Sequence, residues 1–233
     1  MKMLLMDLCG VGGSLALADS GREPAVFAQS TLAPRSAAAT LLPAVRTLLE
    51  EAKLSVGELD AITVVHGPGS FTGVRIGVSA AKGLSEGAEV PLIAISRLAV
   101  LASLCPGPAG RVHAVLDAGR GEFYLGSYVH ADNAWSCERE VLATRTELTA
   151  ALADAPGMVC VCEAKVGDAL VEFVPLAVAE PTAADAFALA ATAFAAGKFA
   201  DAAALDANYL RRADAEMLVK QKAAMAARQA ERR

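Results

Sequence analysis

Apolar stretches alternate with glycine-rich breaks from the first residues. Residues 2–8, 14–18 and 26–32 are short apolar runs separated by Gly10-Val11-Gly12-Gly13 and Asp19-Ser20-Gly21, a pattern that predicts three strands in a meander. Ala38, Leu41, Leu42, Val45, Leu48, Leu49 and Ala52 then recur at helical spacing up to Lys53, with Gly57 beyond. Pro43 either begins that helix or kinks it. Residues 61–65 (AITVV) read as a buried strand stopped by Gly67-Pro68-Gly69. A helix follows from Thr72 to about Glu86, with Ser70 and Thr72 as candidate caps. A strand at 91–95 and a helix at 96–104, capped by Ser96, lead to a linker, Cys105-Pro106-Gly107-Pro108-Ala109-Gly110.

Past the linker the pattern restarts. An apolar strand at 111–116 ends in Asp117 and a glycine turn at 118–121 follows; strands at 122–129 and 135–142, a helix at 146–153 and a strand at 158–162 come after it. The order strand-strand-strand-helix-strand thus occurs twice, which predicts an approximate duplication with domains at 1–104 and 111–212 and a tail at 213–233. A meander continued by βα crossovers gives an α/β fold, each domain a mixed sheet flanked by helices.

The second helix carries the sharpest local signal. Gly73, Gly77, Ala81 and Ser85 recur every fourth residue, and each glycine inside a helix costs about 1 kcal/mol relative to alanine, so close packing must offset the cost. Two readings follow. The glycines let the helix approach its own sheet, or the ridge receives another helix. On the second reading Gly73, Val74, Gly77, Val78 and Ala81, together with Leu41, Val45 and Leu49 of the preceding helix, form a partner interface, while Ile76, Ala80 and Leu84 face the sheet. The loop before the helix is neither a P-loop, since Val74-Arg75 stands where Lys-Ser/Thr is needed, nor a dinucleotide fingerprint, since Thr72 replaces its third glycine.

Composition narrows the setting. No window reaches the eighteen or more apolar residues of a membrane span, and the apolar stretch after Lys2 is cut short at Asp7, so neither a membrane segment nor a signal peptide is expected and the cytoplasm is. Cys9, Cys105, Cys137, Cys160 and Cys162 are odd in number and contain no Cys-x-x-Cys pair, which argues against a disulfide framework or zinc knuckle. After Leu210 seven basic residues stand against three acidic ones, a local +4, whereas the rest of the chain carries −9, the two summing to the formal −5. An acidic body disfavours a broad phosphate-binding surface, leaving tRNA or other nucleic acid only indirect contact or contact through the tail. His66, His113 and His130 contain no pair at helical metal-binding spacing. Ser70 sits outside the G-x-S-x-G elbow of hydrolases.

GPGSFTGVRIG, residues 67–77, resembles the signature of the TsaB (YeaZ) family, a component of the bacterial machinery that makes threonylcarbamoyladenosine in tRNA. Asp117-Ala118-Gly119-Arg120-Gly121-Glu122-Phe123-Tyr124, the late Tyr209-Leu210-Arg211 and Leu41-Leu42-Pro43 resemble further family segments in the same order, covering about residues 1 to 212. The chain departs from the family pattern at Asp7-Leu8-Cys9-Gly10, where the first strand usually ends in Asp-Thr, and at Arg35-Ser36-Ala37, where a His-Ser pair is usual. The resemblance implies an actin-like (ASKHA) pair of duplicated domains and a non-catalytic role beside the catalytic TsaD subunit, with the TsaE ATPase as a further partner and a homodimer when TsaD is absent. In such folds the hairpin after each first strand faces the phosphates, so Asp7 and Asp117 are either magnesium or water ligands of a nucleotide or caps of their own turns. No intrinsic cofactor is expected; nucleotide at the subunit interface stays open. The competing class is a small-molecule kinase or ATPase of the same fold acting alone.

Overall fold

The computed structural model describes residues 1–107, 109–132 and 134–211; the basic tail at 213–233 lies outside the described residues. In the first half β1 (Lys2–Asp7), β2 (Gly13–Asp19) and β3 (Val26–Leu32) form the expected antiparallel meander. α1 (Ala37–Glu51), β4 (Ala61–Val65), α2 (Phe71–Ala88), β5 (Leu92–Ile95) and α3 (Arg97–Ser103) follow. β4 and β5 run parallel to β1, giving the order β3-β2-β1-β4-β5. Pro43 lies inside α1, which starts six residues before it.

The second half repeats this plan. β6 (Gly110–Gly119), β7 (Glu122–Ala131) and β8 (Ala134–Thr144) are antiparallel neighbours. α4 (Arg145–Asp154), β9 (Met158–Val161), α5 (Ala164–Ala169) and the two-residue β10 (Leu176–Ala177) complete the sheet in the order β8-β7-β6-β9-β10, with β9 parallel to β6 and β10 parallel to β9. Order and direction match the first sheet strand for strand, so the fold is the duplicated, actin-like α/β arrangement, and Asp7 and Asp117 head corresponding hairpins. Central strands read as unbroken apolar runs because helices cover both faces; Met3, Leu4, Leu5 and Met6 are all fully buried. β8, an edge, instead carries Glu138, Arg139 and Glu140, charges that oppose unwanted strand pairing.

Packing does not respect the halves as the chain order divides them. α3 buries Leu98, Leu101 and Ala102 against Val112, Ala114, Leu116, Tyr128 and Cys160 of the second sheet. In return α6 (Phe187–Ala195) and the turn before it place Ala183, Ala186 and Ala190 in the core of the first sheet, and Ala200 N donates to Leu92 O at 2.7 Å. Each half is therefore completed by a helix from the other. A division at residues 105–110 separates neither core cleanly.

The glycine ridge of α2 is internal. A methyl group on Gly73 would lie 2.0 Å from Leu8 O, and one on Gly69 2.4 Å from Cys9 O, while Ser70 N donates to that same Cys9 oxygen at 2.8 Å. The helix start is thus clamped onto the chain leaving β1. The expectation of a docking ridge is corrected for all eight residues: Leu41, Val45, Leu49, Val74, Val78 and Ala81 are 0–5% exposed, Gly77 is buried and Gly73 is pressed against Leu8. Ile76, Ala80 and Leu84, expected to face the sheet, do pack against that core but are only half-buried, so part of each is left outward. The physical reason is depth, because only a residue without a side chain fits beneath the Leu8 carbonyl.

This geometry separates two glycines that look alike in sequence. At Gly77 the nearest atom to an added methyl is Leu8 Cδ1 at 3.3 Å, the movable end of a side chain, whereas at Gly73 it is backbone. Gly73→Ala is expected to cost about 2 kcal/mol net, overpacking exceeding the gain in helix propensity. Gly77→Ala should fall within about 0.5 kcal/mol of wild type. Denaturant midpoints test the pair; a wild-type midpoint for Gly73→Ala would show that the clamp does not hold α2.

Candidate functional site

Strand β1 delivers Asp7 to the head of its hairpin, where burial is nearly complete at 3% exposure. Its Oδ1 accepts from Cys9 N at 2.7 Å, a turn cap, while Oδ2 is buried with no hydrogen-bond partner. Arg97, first residue of α3 and 5% exposed, lies near enough for its charge to act on Asp7. Burial drives the Asp7 carboxyl above the usual range, and the Arg97 guanidinium only partly opposes this. Arg97 Nη2 donates to Glu180 Oε1 at 2.7 Å, and a methyl on Gly10 would lie 2.4 Å from that oxygen, so Gly10 is small because the carboxylate closes over it. Ser14 Oγ accepts from Ala183 N at 2.8 Å on the far side. Together they border a cavity of about 220 Å³ lined by Asp7, Gly10, Ser14, Thr31, Glu180 and Thr182.

The second hairpin is built differently. Asp117 is ion-paired to Lys165 of α5, and its backbone N–H donates to Glu163 Oε2 at 2.6 Å. Burial pushes the Asp117 carboxyl upward, but the Lys165 ammonium, the Gly119 backbone N–H and the Arg211 charge together outweigh it and the group ends below its ordinary value. Arg211 spans the turn, pairing with Glu122 at 2.6 Å and donating to Ala118 O at 2.9 Å and Gly119 O at 3.1 Å. Asp117 does not line the cavity at Asp7.

Leu8 and Cys9 point into the core at 2% and 3% exposure, Arg97 and Lys165 are held by Glu180 and Asp117, and the cavity at Asp7 is faced by two carboxylates together with the Ser14, Thr31 and Thr182 side chains. Among the described residues no group of three or more His, Cys, Asp or Glu side chains has the arrangement to hold a metal ion. His113 does meet a serine, Ser127 Oγ at 2.9 Å, but both are buried at 0% and 2% and the other ring nitrogen binds Ala155 O at 2.7 Å, so the pair is a core anchor. Among the described residues no helix is long and apolar enough to cross a membrane.

Part of the exposed apolar surface lies on the outer side of α1 and α2, while Val171, Val174 and Phe199 are exposed elsewhere. Leu42 is 55% exposed, and Ile76, Ala80 and Leu84 are half-buried. At the N-terminal ends of the helices a groove of about 340 Å³ is lined by Val11, Ala37, Ala38, Thr72 and Ile76, with Val11 79% exposed. Beside it Arg75 lies 3.8 Å above the Phe71 ring and its Nε donates to Tyr209 Oη at 2.5 Å, so the motifs at residues 67–77 and 209–211 meet in space. Sequence reasoning missed Arg97 and Glu180, which sit 83 positions apart; the one available signal was a charged residue opening an otherwise apolar helix.

The family model described as TsaD, tRNA N6-adenosine threonylcarbamoyltransferase, matches residues 29–137. The chain is 36% identical over 151 residues to the tRNA threonylcarbamoyladenosine biosynthesis protein TsaB of Escherichia coli, covering 64% of each, and 36% identical to the Bacillus subtilis TsaB over 55% of each. The matched stretch thus spans less than two thirds of either relative. A solved structure described as YeaZ from Pseudomonas aeruginosa superposes with a TM-score of 0.74 at 31% identity, covering 90% of this chain and 99% of that one.

Asp7 sets a pH dependence. Its folded pKa lies above the value of about 3.9 for an unfolded aspartate, so the folded state holds the proton more tightly and stability falls as pH rises through that window. At neutral pH the buried carboxylate is a net cost. Asp7→Asn, which keeps an acceptor for Cys9 N, is expected to raise the Tm near pH 7.5 and to leave it unchanged near pH 3.5. A lower Tm for the variant at neutral pH would mean that the attraction to Arg97 outweighs burial.

Proposed function

The chain belongs to the TsaB (YeaZ) family, and on that premise we propose that it is a non-catalytic subunit that docks on a TsaD-type catalytic subunit and supports transfer of a threonylcarbamoyl group to adenosine in tRNA. The observation that carries this reading is the apolar outer stripe of α1 and α2, formed by Leu42, Ile76, Ala80 and Leu84. Exposed apolar residues gathered on adjacent helices mark a contact surface more often than scattered ones do. The family model of the transferase itself matches residues 29–137, a stretch that contains both helices. Two related chains presenting related helix pairs pair naturally across a pseudo-twofold axis, and a second copy of this chain takes the same face when the catalytic subunit is missing. Work in the cytoplasm, a TsaE-type ATPase as further partner and indirect contact with tRNA belong to the same reading.

The non-catalytic reading is supported by the hairpins. With Asp7 buried beneath the Arg97–Glu180 pair and Lys165 held by Asp117, the cations near the two turns are engaged by carboxylates rather than free to stabilise phosphoryl transfer. Purified protein is expected to turn over no ATP; steady turnover abolished by Asp7→Asn would favour an independent kinase or ATPase instead.

Docking is tested on the outer stripe rather than on the buried ridge. Leu42→Arg and Ala80→Arg place a charge on the contact face while leaving the core intact, and each is expected to weaken binding to the catalytic subunit at least about tenfold with little change in Tm. Calorimetric titration and thermal unfolding read the two effects separately. Unchanged affinity in both variants would move the interface elsewhere.

A further inference from the structure

The exchange of α3 and α6 between the halves leaves a trough at their seam that the function above does not use. It encloses about 410 Å³, within the range of small-ligand sites. One wall is a single face of α6 and the turn before it, Asp185, Ala188, Leu189, Thr192 and Ala193, at helical spacing; the opposite wall is Ser96, Ala99 and Ser103 of the α3 segment. Trp135 and Cys137 of β8 close it. Ala94, Ala99, Ala188 and Ala193 keep the space open where larger apolar residues would fill it.

We propose that this trough binds a flat aromatic molecule carrying a single negative charge. Trp135 supplies the aromatic surface. His130 stacks on its indole at 4.6 Å but does not line the trough, so the part of the indole that does is not the face His130 covers. Lys198 supplies the charge: it is exposed at the trough and, among the described residues, has no salt-bridge partner. The other charged lining group, Asp185, is engaged by Thr182, whose backbone N–H and hydroxyl both donate to Oδ2 at 2.7 Å, and it precedes α6 while Lys198 follows it. A second anionic group at that end is disfavoured, which sets the ligand at one charge.

Occupancy has a structural consequence. Tyr128 of the same lining donates to Glu140 Oε1, Asn208 Nδ2 donates to Glu140 Oε2 at 2.6 Å, and Asn208 N donates to His66 O at 2.7 Å. That chain of bonds runs from the second sheet to the first. A molecule wedged against Tyr128 between α3 and α6 therefore braces the seam between halves.

Trp135 is the only tryptophan in the chain, so its emission reports on the trough. Titration with 8-anilinonaphthalene-1-sulfonate is expected to quench Trp135 with energy transfer to the probe, saturating at one molecule per chain, and to raise the Tm. Lys198→Glu should weaken this at least tenfold while binding of the uncharged analogue N-phenyl-1-naphthylamine stays within twofold. Ala188→Phe should abolish both. If Ala188→Phe unfolds, the charge comparison still decides, since Lys198 is on the surface. Equal loss of both probes in Lys198→Glu, saturation without quenching of Trp135, or full binding by folded Ala188→Phe would each overturn the assignment, the last placing the probe on the outer face of α1 and α2.

Discussion

The contact of α2 with the chain leaving β1 sets the rest of the molecule. Leu8 and Cys9 offer carbonyl oxygens to the start of the helix, and only glycine at positions 69 and 73 lets the backbones come close enough for Ser70 N to reach Cys9 O. Hydrogen bond and close packing reinforce each other, since a backbone group buried here without a partner would cost more than the glycines do. The clamp fixes how α2 lies on the first sheet. It thereby fixes which stripe of the helix is left outward.

A second constraint joins the halves. Because α3 is buried in one core and α6 in the other, separating the halves would expose apolar surface from both, including Leu98 and Leu101 at 0% exposure. Fully burying such a side chain contributes about 1.5–3 kcal/mol, so the exchange outweighs the few polar links across the seam. Arg97 stands at the crossing point. Its backbone N–H donates to Gly67 O at 2.7 Å, its guanidinium reaches Glu180, and its charge acts on Asp7, so the turn before α2, the first hairpin and the segment after β10 meet at one side chain.

These constraints also shape the two hairpins. The hairpins persist because they terminate the central strands of each sheet, but their polar heads are spent on internal partners. The surfaces left open to other molecules include the outer stripe of α1 and α2, which is apolar, and the trough at the seam, which is of mixed character.

Much of this was legible in residue order alone. The strands through β9, the helices through α4 and the repeat of the plan follow from local periodicity, which depends on which atoms each residue buries and not on what covers them; the two-residue β10 is too short to show a period. The motif at 67–77 also identified the family, because glycines at fixed spacing encode a close backbone approach. Sequence could not say which non-polar stripe of α2 faced inward, since Gly73-Gly77-Ala81 and Ile76-Ala80-Leu84 both satisfy helical amphipathicity. Tertiary structure decided it through the depth available beneath Leu8 O. Nor could sequence show that α3 and α6 change places, that Asp7, Arg97 and Glu180 converge, or that alanines 94, 99, 188 and 193 border one space. Each depends on contacts between residues far apart in the chain, and only the packed chain brings them together.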